Sequence, residues 1–467
     1  MKLKKIISLG LLALILCFAF FLRRDAFWLP HWKGDQGHYA VLSMKLDLQG
    51  LDGYHLREVG LGNKIISTDP KIEFVFFRLL PAGDMGDILR ILHVVGQGYY
   101  DEPLHYRAPL FSYVLMLSHR LFDGDKKFYA LCSSNLAEQV VKIKPKIIMT
   151  TQFWAAVVPI FFNLAVILMT FFLGRQFFND RVGLWASFLM ASNPVSLTLA
   201  YRLLVEDLLT FLVTLSVFLY LLFFRKKNIF GAFAAGAAAG LAVLAKQTAG
   251  LLLPAVWLYT LFSERKSKNI VGIALNPYFL IYALAAVLVS AFWFLKVYQV
   301  FGNPIHQPGS VFEGIQNDRT GWFYAVSHRP PPFLFFSVGV IYLSPIFGFA
   351  LLRLRKFYRH CGGDPMDESG SAEMMLWLWI LAFFVFITEP WHVLVLMGDQ
   401  EHRFFYGAYP AIAILSALGV DSLRLKWSRS TQHRWLPDTA IASLLWVNAL
   451  WGIPKAMKVI YQNNLLF

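Results

Sequence analysis

The stretch Arg225-Lys226-Lys227-Asn228-Ile229-Phe230-Gly231-Ala232-Phe233-Ala234-Ala235-Gly236-Ala237-Ala238-Ala239-Gly240-Leu241-Ala242-Val243-Leu244-Ala245-Lys246 decides the fold. Three cations precede a long run of apolar and small residues, and one lysine closes it. A membrane-spanning helix needs about 20 mostly apolar residues and tolerates as few as about 17, so 229–246 reads as a span. Its glycines and alanines recur at helical spacing and predict close helix–helix packing. The next apolar run, 249–262, is short. It is either a kinked continuation of the same helix or the return arm of a hairpin. Short cytoplasmic loops carry an excess of Lys and Arg, and that rule separates the two readings. Arg175 and Arg181, Arg225 to Lys227, Arg265 to Lys268, Arg353 to Arg359 and Arg424 to Arg434 all fall on one side only if 229–262 is a hairpin with Lys246 at its outer tip. The opposite short turns then hold little more than Arg202, Lys246 and Arg403.

Working outward, the 467 residues are 57% hydrophobic, 16% aromatic and 15% charged, with a mean hydropathy of +0.52. Soluble domains carry about 25% charged residues, so this composition belongs to an all-α polytopic membrane protein. Apolar runs predict spans near 6–22, 153–174, 183–200, 207–224, 229–246, 249–262, 277–299, 333–352, 374–390, 404–420 and 437–453, about eleven in all. The first run follows Lys2, Lys4 and Lys5 and is trailed by Arg23, Arg24 and Asp25 rather than by a small-residue cleavage pattern, so it reads as a retained signal anchor. The expected organisation is an anchor helix at 1–22, a first extracytoplasmic loop at 23–152 and spans within 153–300. A second outer loop at 301–332, spans within 333–453 and an outer tail at 454–467 complete it. The N-terminus is then cytoplasmic and the host membrane is the plasma (inner) membrane. The net charge of +14 is mostly this topology signal, so no nucleic-acid partner is required. Cys17, Cys132 and Cys361 fall in different segments and form no disulfide pattern.

The long outer loops are rich in aromatics, and loops of that length are usually functional or disordered. Within the first, Arg107 to Phe122 has the length and mixed polarity of a helix lying in the interface. Charged residues also stand where apolar helices should end: Arg202, Glu206 and Asp207 before the fourth span, Lys246 at the hairpin tip, and Glu401, His402 and Arg403 before the tenth. Such charges are costly in a bilayer and default to function. Arg107, Arg202, Lys246, His402 and Arg403 suit a phosphate. Asp35, Glu206, Asp207 and Glu401 are candidate bases, or partners that orient those cations. Asp35 lies between Gly34 and Gly37, where the backbone approaches a ligand closely.

An arginine after the first span, followed by Gly34-Asp35-Gln36-Gly37-His38-Tyr39, resembles the first-loop acidic motif of the GT-C superfamily of glycosyltransferases. More narrowly, the chain is similar to the family 39-like group of protein mannosyltransferases and lipid A aminoarabinose transferases. Tyr106-Arg107-Ala108-Pro109-Leu110 is similar to that group's basic interface helix, and Glu206-Asp207-Leu208-Leu209-Thr210-Phe211 to its second acidic motif. Gly240 to Gln247, Phe301-Gly302-Asn303-Pro304, and Glu401 to Phe404 with Pro410 follow in the family's order, over about residues 1–425. The resemblance implies a GT-C-like bundle and inverting transfer of a sugar from a polyprenyl-phosphate donor, with chemistry on the extracytoplasmic face. It implies Asp35 as base, Arg107 as donor-phosphate ligand with Lys246 and Arg403 as further candidates, and Asp207 at the second acidic position. The acceptor is a hydroxyl on a lipid, protein or polysaccharide. Three departures stand out: Gln36 replaces a frequent acid, Arg107 replaces lysine, and Asp123 to Lys146 has the look of an insertion. His31, His38, His93, His105 and His119 share the first loop, but their spacings match no closed metal motif. No metal and no cofactor is therefore expected, and no nucleotide-binding fingerprint is present. The competing functions are a transporter or flippase for a lipid-linked glycan, and a glycan polymerase or ligase.

Overall fold

The computed structural model describes residues 2–27, 39, 43, 108–122, 153–264, 272, 275–301, 340–362, 367–388, 403, 405–430, 433 and 435–465. Helices and short turns account for them, and no strand occurs among the described residues. The α-helices in chain order are α1 (Lys2–Arg23), α2 (Leu110–Leu121), α3 (Phe153–Phe177), α4 (Asp180–Ser192), α5 (Pro194–Ala200), α6 (Glu206–Phe224) and α7 (Ile229–Ala245). Then come α8 (Leu252–Glu264), α9 (Pro277–Phe301), α10 (Leu354–Gly362), α11 (Glu368–Thr388), α12 (Tyr409–Ser430) and α13 (Trp435–Leu465). Among the described residues, Ile6–Phe27, Phe153–Phe177, Glu206–Phe224, Pro277–Gln299, Tyr406–Ser430 and Trp435–Ile460 are long and apolar enough to cross a bilayer.

Helical segments occupy the described parts of the predicted spans, but they do not make eleven full-length α-helices. At 17 residues α7 is short, and at 13 residues α8 is shorter still. The described part of 333–352 contains no continuous α-helix. Ser344 and Pro345 interrupt it, and Pro345–Arg353 is a 3-10 helix. Proline cannot donate the backbone hydrogen bond that would continue the preceding turn. The predicted span 183–200 is two helices bent by 58°. Asn193 precedes Pro194 and is extended, because the residue before proline is pushed out of the helical region. Its side-chain oxygen then accepts from the backbone N–H groups of Val195 and Ser196, capping α5. The Asn-Pro pair was a readable breaker, and the pair of helices passes as a span only if the bent pair is counted as one.

The hairpin reading of 229–262 holds, and the continuous kinked helix does not. At one end of α6, Glu206 meets Lys246 at the close of α7. At the other end, Tyr220 hydrogen-bonds Thr260 on α8 at 2.7 Å. So α7 runs antiparallel to α6, and α8 returns alongside it. Lys246 itself has extended backbone, φ −155° and ψ 126°, and forms the tip. Small residues on α7 admit α9 closely, as their spacing predicted. A Cβ on Gly240 would stand 2.6 Å from the Ala286 carbonyl oxygen and 2.7 Å from Val289 Cβ. Gly240→Val is therefore expected to destabilise the protein by about 1–3 kcal/mol through overpacking. Thermal unfolding in detergent measures this, and an unchanged midpoint would mean the two helices have room to part.

The loop cations gather at the far end of the bundle. Arg175 pairs with Asp180 at 2.8 Å, Arg225 with Glu368 at 3.8 Å, and Arg353 with the buried Glu373 at 2.8 Å. Arg424 bonds Asp438 there as well. The opposite end carries Arg23, Arg202, Glu206, Asp207, Lys246, Arg403 and Lys455.

Candidate functional site

At that second end α6 begins on two carboxylates, Glu206 and Asp207, which favour the positive end of the helix dipole. Adjacent positions on a helix point about 100° apart, and the two have different fates. Glu206 reaches the hairpin tip, where its Oε1 accepts from Lys246 Nζ at 3.0 Å. The carboxylate is buried and the ammonium about a fifth exposed. Asp207 turns inward. Its Oδ1 accepts from Asn163 Nδ2 at 2.7 Å, and Asn163 Oδ1 accepts from Arg23 Nε at 2.7 Å.

Arg23 is fully buried where α1 ends. Its other nitrogens donate to the carbonyls of Ala19 and Ala191 at 2.9 and 3.1 Å and to Ser196 Oγ at 3.1 Å. The Tyr406 hydroxyl donates to Ser196 Oγ at 3.1 Å and accepts from Asn163 Nδ2 at 3.2 Å. A buried cation and a buried anion are thus joined through Asn163 rather than touching. Ser196 reaches this network because the break at Asn193 redirects α5. Through Asn163, the buried Asp207 ties α1, α3 and α6 together.

Arg202 and Arg403 line one cavity with Lys455, beside Pro194, Val195 and Leu343. Lys246 does not line it. Its neighbours lie elsewhere: Leu244, two residues earlier, clusters with Trp293 and Val297 of α9, and Leu110, Tyr113 and Met116 of α2 pack on that cluster. The described cations proposed for phosphate therefore fall into two places. The interface helix predicted at Arg107 to Phe122 is α2. It buries Phe111, Ser112, Leu115, Ser118 and His119 and exposes Leu117, Leu121 and Phe122. Ser118 donates to the Trp154 carbonyl at 2.6 Å, and His119 lies edge-on to the Trp154 ring. Tyr39, four residues along the chain from Asp35, sits edge-on to Phe111 at 4.9 Å.

Asp35, Arg107, Glu401 and His402 lie outside the described residues, as do His31, His38, His93, His105 and the segment from Asp123 to Lys146. Among the described residues, no three His, Cys, Asp or Glu side chains stand together as a metal site. Sequence reasoning passed over Asn163, an amide inside an apolar span, which is itself a signal of a polar partner. It also passed over Lys455, which lies beyond the last motif, and it treated Arg23 only as a membrane flank.

A family model described as dolichyl-phosphate-mannose-protein mannosyltransferase matches residues 136–294, about a third of the chain. An Aquifex aeolicus protein, described only as uncharacterized, is 26% identical over 261 residues, which is 55% of this chain and 47% of the relative. Among solved structures, the chain is similar to ArnT from Cupriavidus metallidurans bound to undecaprenyl phosphate, with TM-score 0.52 and 14% identity over 93% of this chain and 64% of that one. It is also similar to the oligosaccharyltransferase AglB from Archaeoglobus fulgidus in complex with an inhibitory peptide and a dolichol-phosphate, with TM-score 0.52 and 15% identity over 97% of this chain and 56% of that one. A second structure of the A. fulgidus enzyme, tethered with an acceptor peptide, gives TM-score 0.55 and 16% identity over 98% and 55% of the two chains. The fold is that of the GT-C membrane glycosyltransferases. Over residues 136–294 the sequence is similar to the mannosyltransferase family model, and the fold is similar to that of ArnT. It spans about half the length of the curated relative, and between 55% and 64% of these solved chains.

Proposed function

We propose that this protein is an inverting membrane glycosyltransferase that moves a sugar from a polyprenyl-phosphate donor to an acceptor hydroxyl at the extracytoplasmic face. In one displacement, the acceptor oxygen bonds to the anomeric carbon and the bond from that carbon to the phosphate oxygen breaks. The polyprenyl phosphate leaves with the bonding electrons, and Asp35 takes the hydroxyl proton. The observation that carries the reading is the docking of α2 beside the α7 hairpin tip. Leu110, three residues past Arg107, packs on the cluster that Leu244, two residues before Lys246, forms with Trp293 and Val297. Both cations then serve the leaving phosphate, whose developing charge they stabilise. Glu206 orients the Lys246 ammonium. Segments 23–152 and 301–332 are the outer loops in this reading, and the N-terminus is cytoplasmic.

A transporter would need a polar path through the bilayer. The described ionisable groups instead stand at the two ends of the bundle, with Arg23 and Asp207 locked in internal bonds. The test is mass spectrometry of cell-envelope lipids and glycans with and without the protein, paired with transfer by the purified chain from a synthetic polyprenyl-phosphate sugar. Loss of one glycosylated species in cells together with turnover in the purified system is expected. An unchanged envelope and no turnover on polyprenyl-phosphate donors would overturn the proposal.

A further inference from the structure

We infer that the groove between α1, α4 and α13 binds one acyl chain of an anionic glycerophospholipid, whose phosphate meets Arg181 at the groove's mouth. All three helices begin at the end of the bundle where the loop cations gather. Leu14 and Ile15 of α1, Leu184 of α4, and Ala442 and Leu445 of α13 line a groove of about 340 Å³. That volume lies within the range of ligand sites, about 300–1,000 Å³. Every described lining residue is aliphatic or aromatic. Leu14 is 66% exposed and Trp446 51%, so the open side of the groove faces lipid. Its inner end is closed by three rings. Phe18 stacks on Phe188 at 5.9 Å, and Trp446 meets the two edge-on at 5.9 and 5.4 Å. A slot that is apolar throughout, closed inside and open at its charged end suits a single hydrocarbon chain hanging from a headgroup.

A bilayer lays some acyl chain over any apolar groove, so the mouth must specify the lipid. Arg181 is exposed and stands one turn before Leu184 and Trp185, on the stripe of α4 that lines the groove. Its guanidinium acts electrostatically on Asp438 at the start of α13, which places it at the mouth between those helices. Asp438 is already engaged, because both its oxygens accept from Arg424. The other acids at this mouth have arginines too: Asp180 pairs with Arg175 at 2.8 Å, and Asp421 lies 4.0 Å from Arg424. On α1, Lys4 stands two turns before Leu11, between Lys2 and Lys5. Cations therefore outnumber acids around the opening, and basic pockets between transmembrane helices favour anionic headgroups. An arginine fork matches two oxygens of a phosphate diester. The depth agrees as well. Seven residues separate Arg181 from Phe188, a rise of about 10 Å, so a headgroup at Arg181 sets the upper part of its acyl chain in the slot. Trp435, 61% exposed in the first turn of α13, supplies an aromatic side chain at headgroup level. This site stands at the opposite end of the bundle from Lys246 and Arg403 and does not depend on sugar transfer.

The test titrates the delipidated full chain in detergent with dioleoyl phosphatidylglycerol or dioleoyl phosphatidylcholine, and native mass spectrometry counts the lipids retained. The wild type is expected to hold one phosphatidylglycerol at least about tenfold more tightly than phosphatidylcholine. Arg181→Gln should cut that preference about fivefold, the effect of one interfacial cation. Ala442→Phe fills the slot and should abolish the retained molecule. Arg359→Gln, a change at an exposed cation of α10, should keep the wild-type preference and controls for general surface charge. Equal retention of the two lipids by the wild type would mean bulk bilayer contact only and overturns the inference. Undiminished retention in Ala442→Phe overturns the slot, and an unchanged preference in Arg181→Gln overturns the headgroup contact. Displacement of phosphatidylglycerol by equimolar decaprenyl phosphate overturns the glycerophospholipid assignment. A dimer that Ala442→Phe dissociates gives the groove to a second copy of the chain and overturns the assignment as well.

Discussion

Arg23→Met is expected to destabilise the bundle by about 3–5 kcal/mol, the range for breaking a buried ion pair by removing one partner. Hydrogen bonds between helices in membranes average only about 0.6 kcal/mol in double-mutant cycles, so this figure needs a reason. Arg23 is not one bond. Its guanidinium serves Asn163, Ser196 and two backbone carbonyls at once. Methionine preserves much of the apolar stem but removes all four donated bonds, leaving Asn163 Oδ1 only the Ser196 hydroxyl and Ser196 Oγ only the Tyr406 hydroxyl. It also removes the cation that balances Asp207, which is buried through the same Asn163 amide. The prediction has an internal check. Adding Asp207→Asn removes the stranded carboxylate, so the double variant should be more stable than the sum of the single effects by about 0.5–3 kcal/mol. Denaturant or thermal unfolding in detergent reads both quantities. Strict additivity would show that the two charges do not sense one another, and the account of a shared network would then fail.

The overall architecture was legible because its signals are local. Apolar run length places a span, and the basic clusters orient each loop, so the hairpin with Lys246 at its tip followed from charge alone. The glycines of α7 were legible for the same reason: their spacing on one helix announces close packing before the neighbour is known. Two local signals were available and unused. The Asn193-Pro194 pair marks the break between α4 and α5, and Pro345 marks the interruption of the span predicted at 333–352.

The polar network was hidden for a different reason. Arg23 and Asn163 are 140 positions apart, and Asn163 and Tyr406 are 243 apart. No periodicity within a helix carries that information. The cations are an intermediate case. The sequence placed Arg202, Lys246 and Arg403 at one end of the bundle but could not divide them between two places. Packing does that, by setting Lys246 against Glu206 and the α2 side, and Arg202 and Arg403 beside Lys455. Lys455 itself reads in sequence as an ordinary lysine near a helix end. Only the two aromatic rings over its ammonium distinguish it from a snorkelling side chain.

Asp35→Asn is expected to lower sugar transfer by about 10²- to 10⁴-fold, the usual contribution of a positioned general base. The described acidic residues at this end narrow the choice. Asp207 is buried against Asn163 and Glu206 is paired with Lys246, so each carboxylate already has one oxygen engaged. The proposal gives the base role to Asp35 of the first outer loop, whose motif also carries Tyr39, packed against α2. Asparagine keeps the size and the hydrogen-bonding shape but cannot take a proton. Decaprenyl phosphate should therefore bind Asp35→Asn as well as it binds the wild type, and only turnover should fall. The pH dependence supplies a second readout. Transfer by the wild type needs the ionised carboxylate, so its rate should fall as acid protonates that group. Any residual rate of Asp35→Asn should lack that limb. Turnover in Asp35→Asn within about tenfold of wild type, with the same acid limb, would remove Asp35 from the base role and return the question to Glu206 and Asp207.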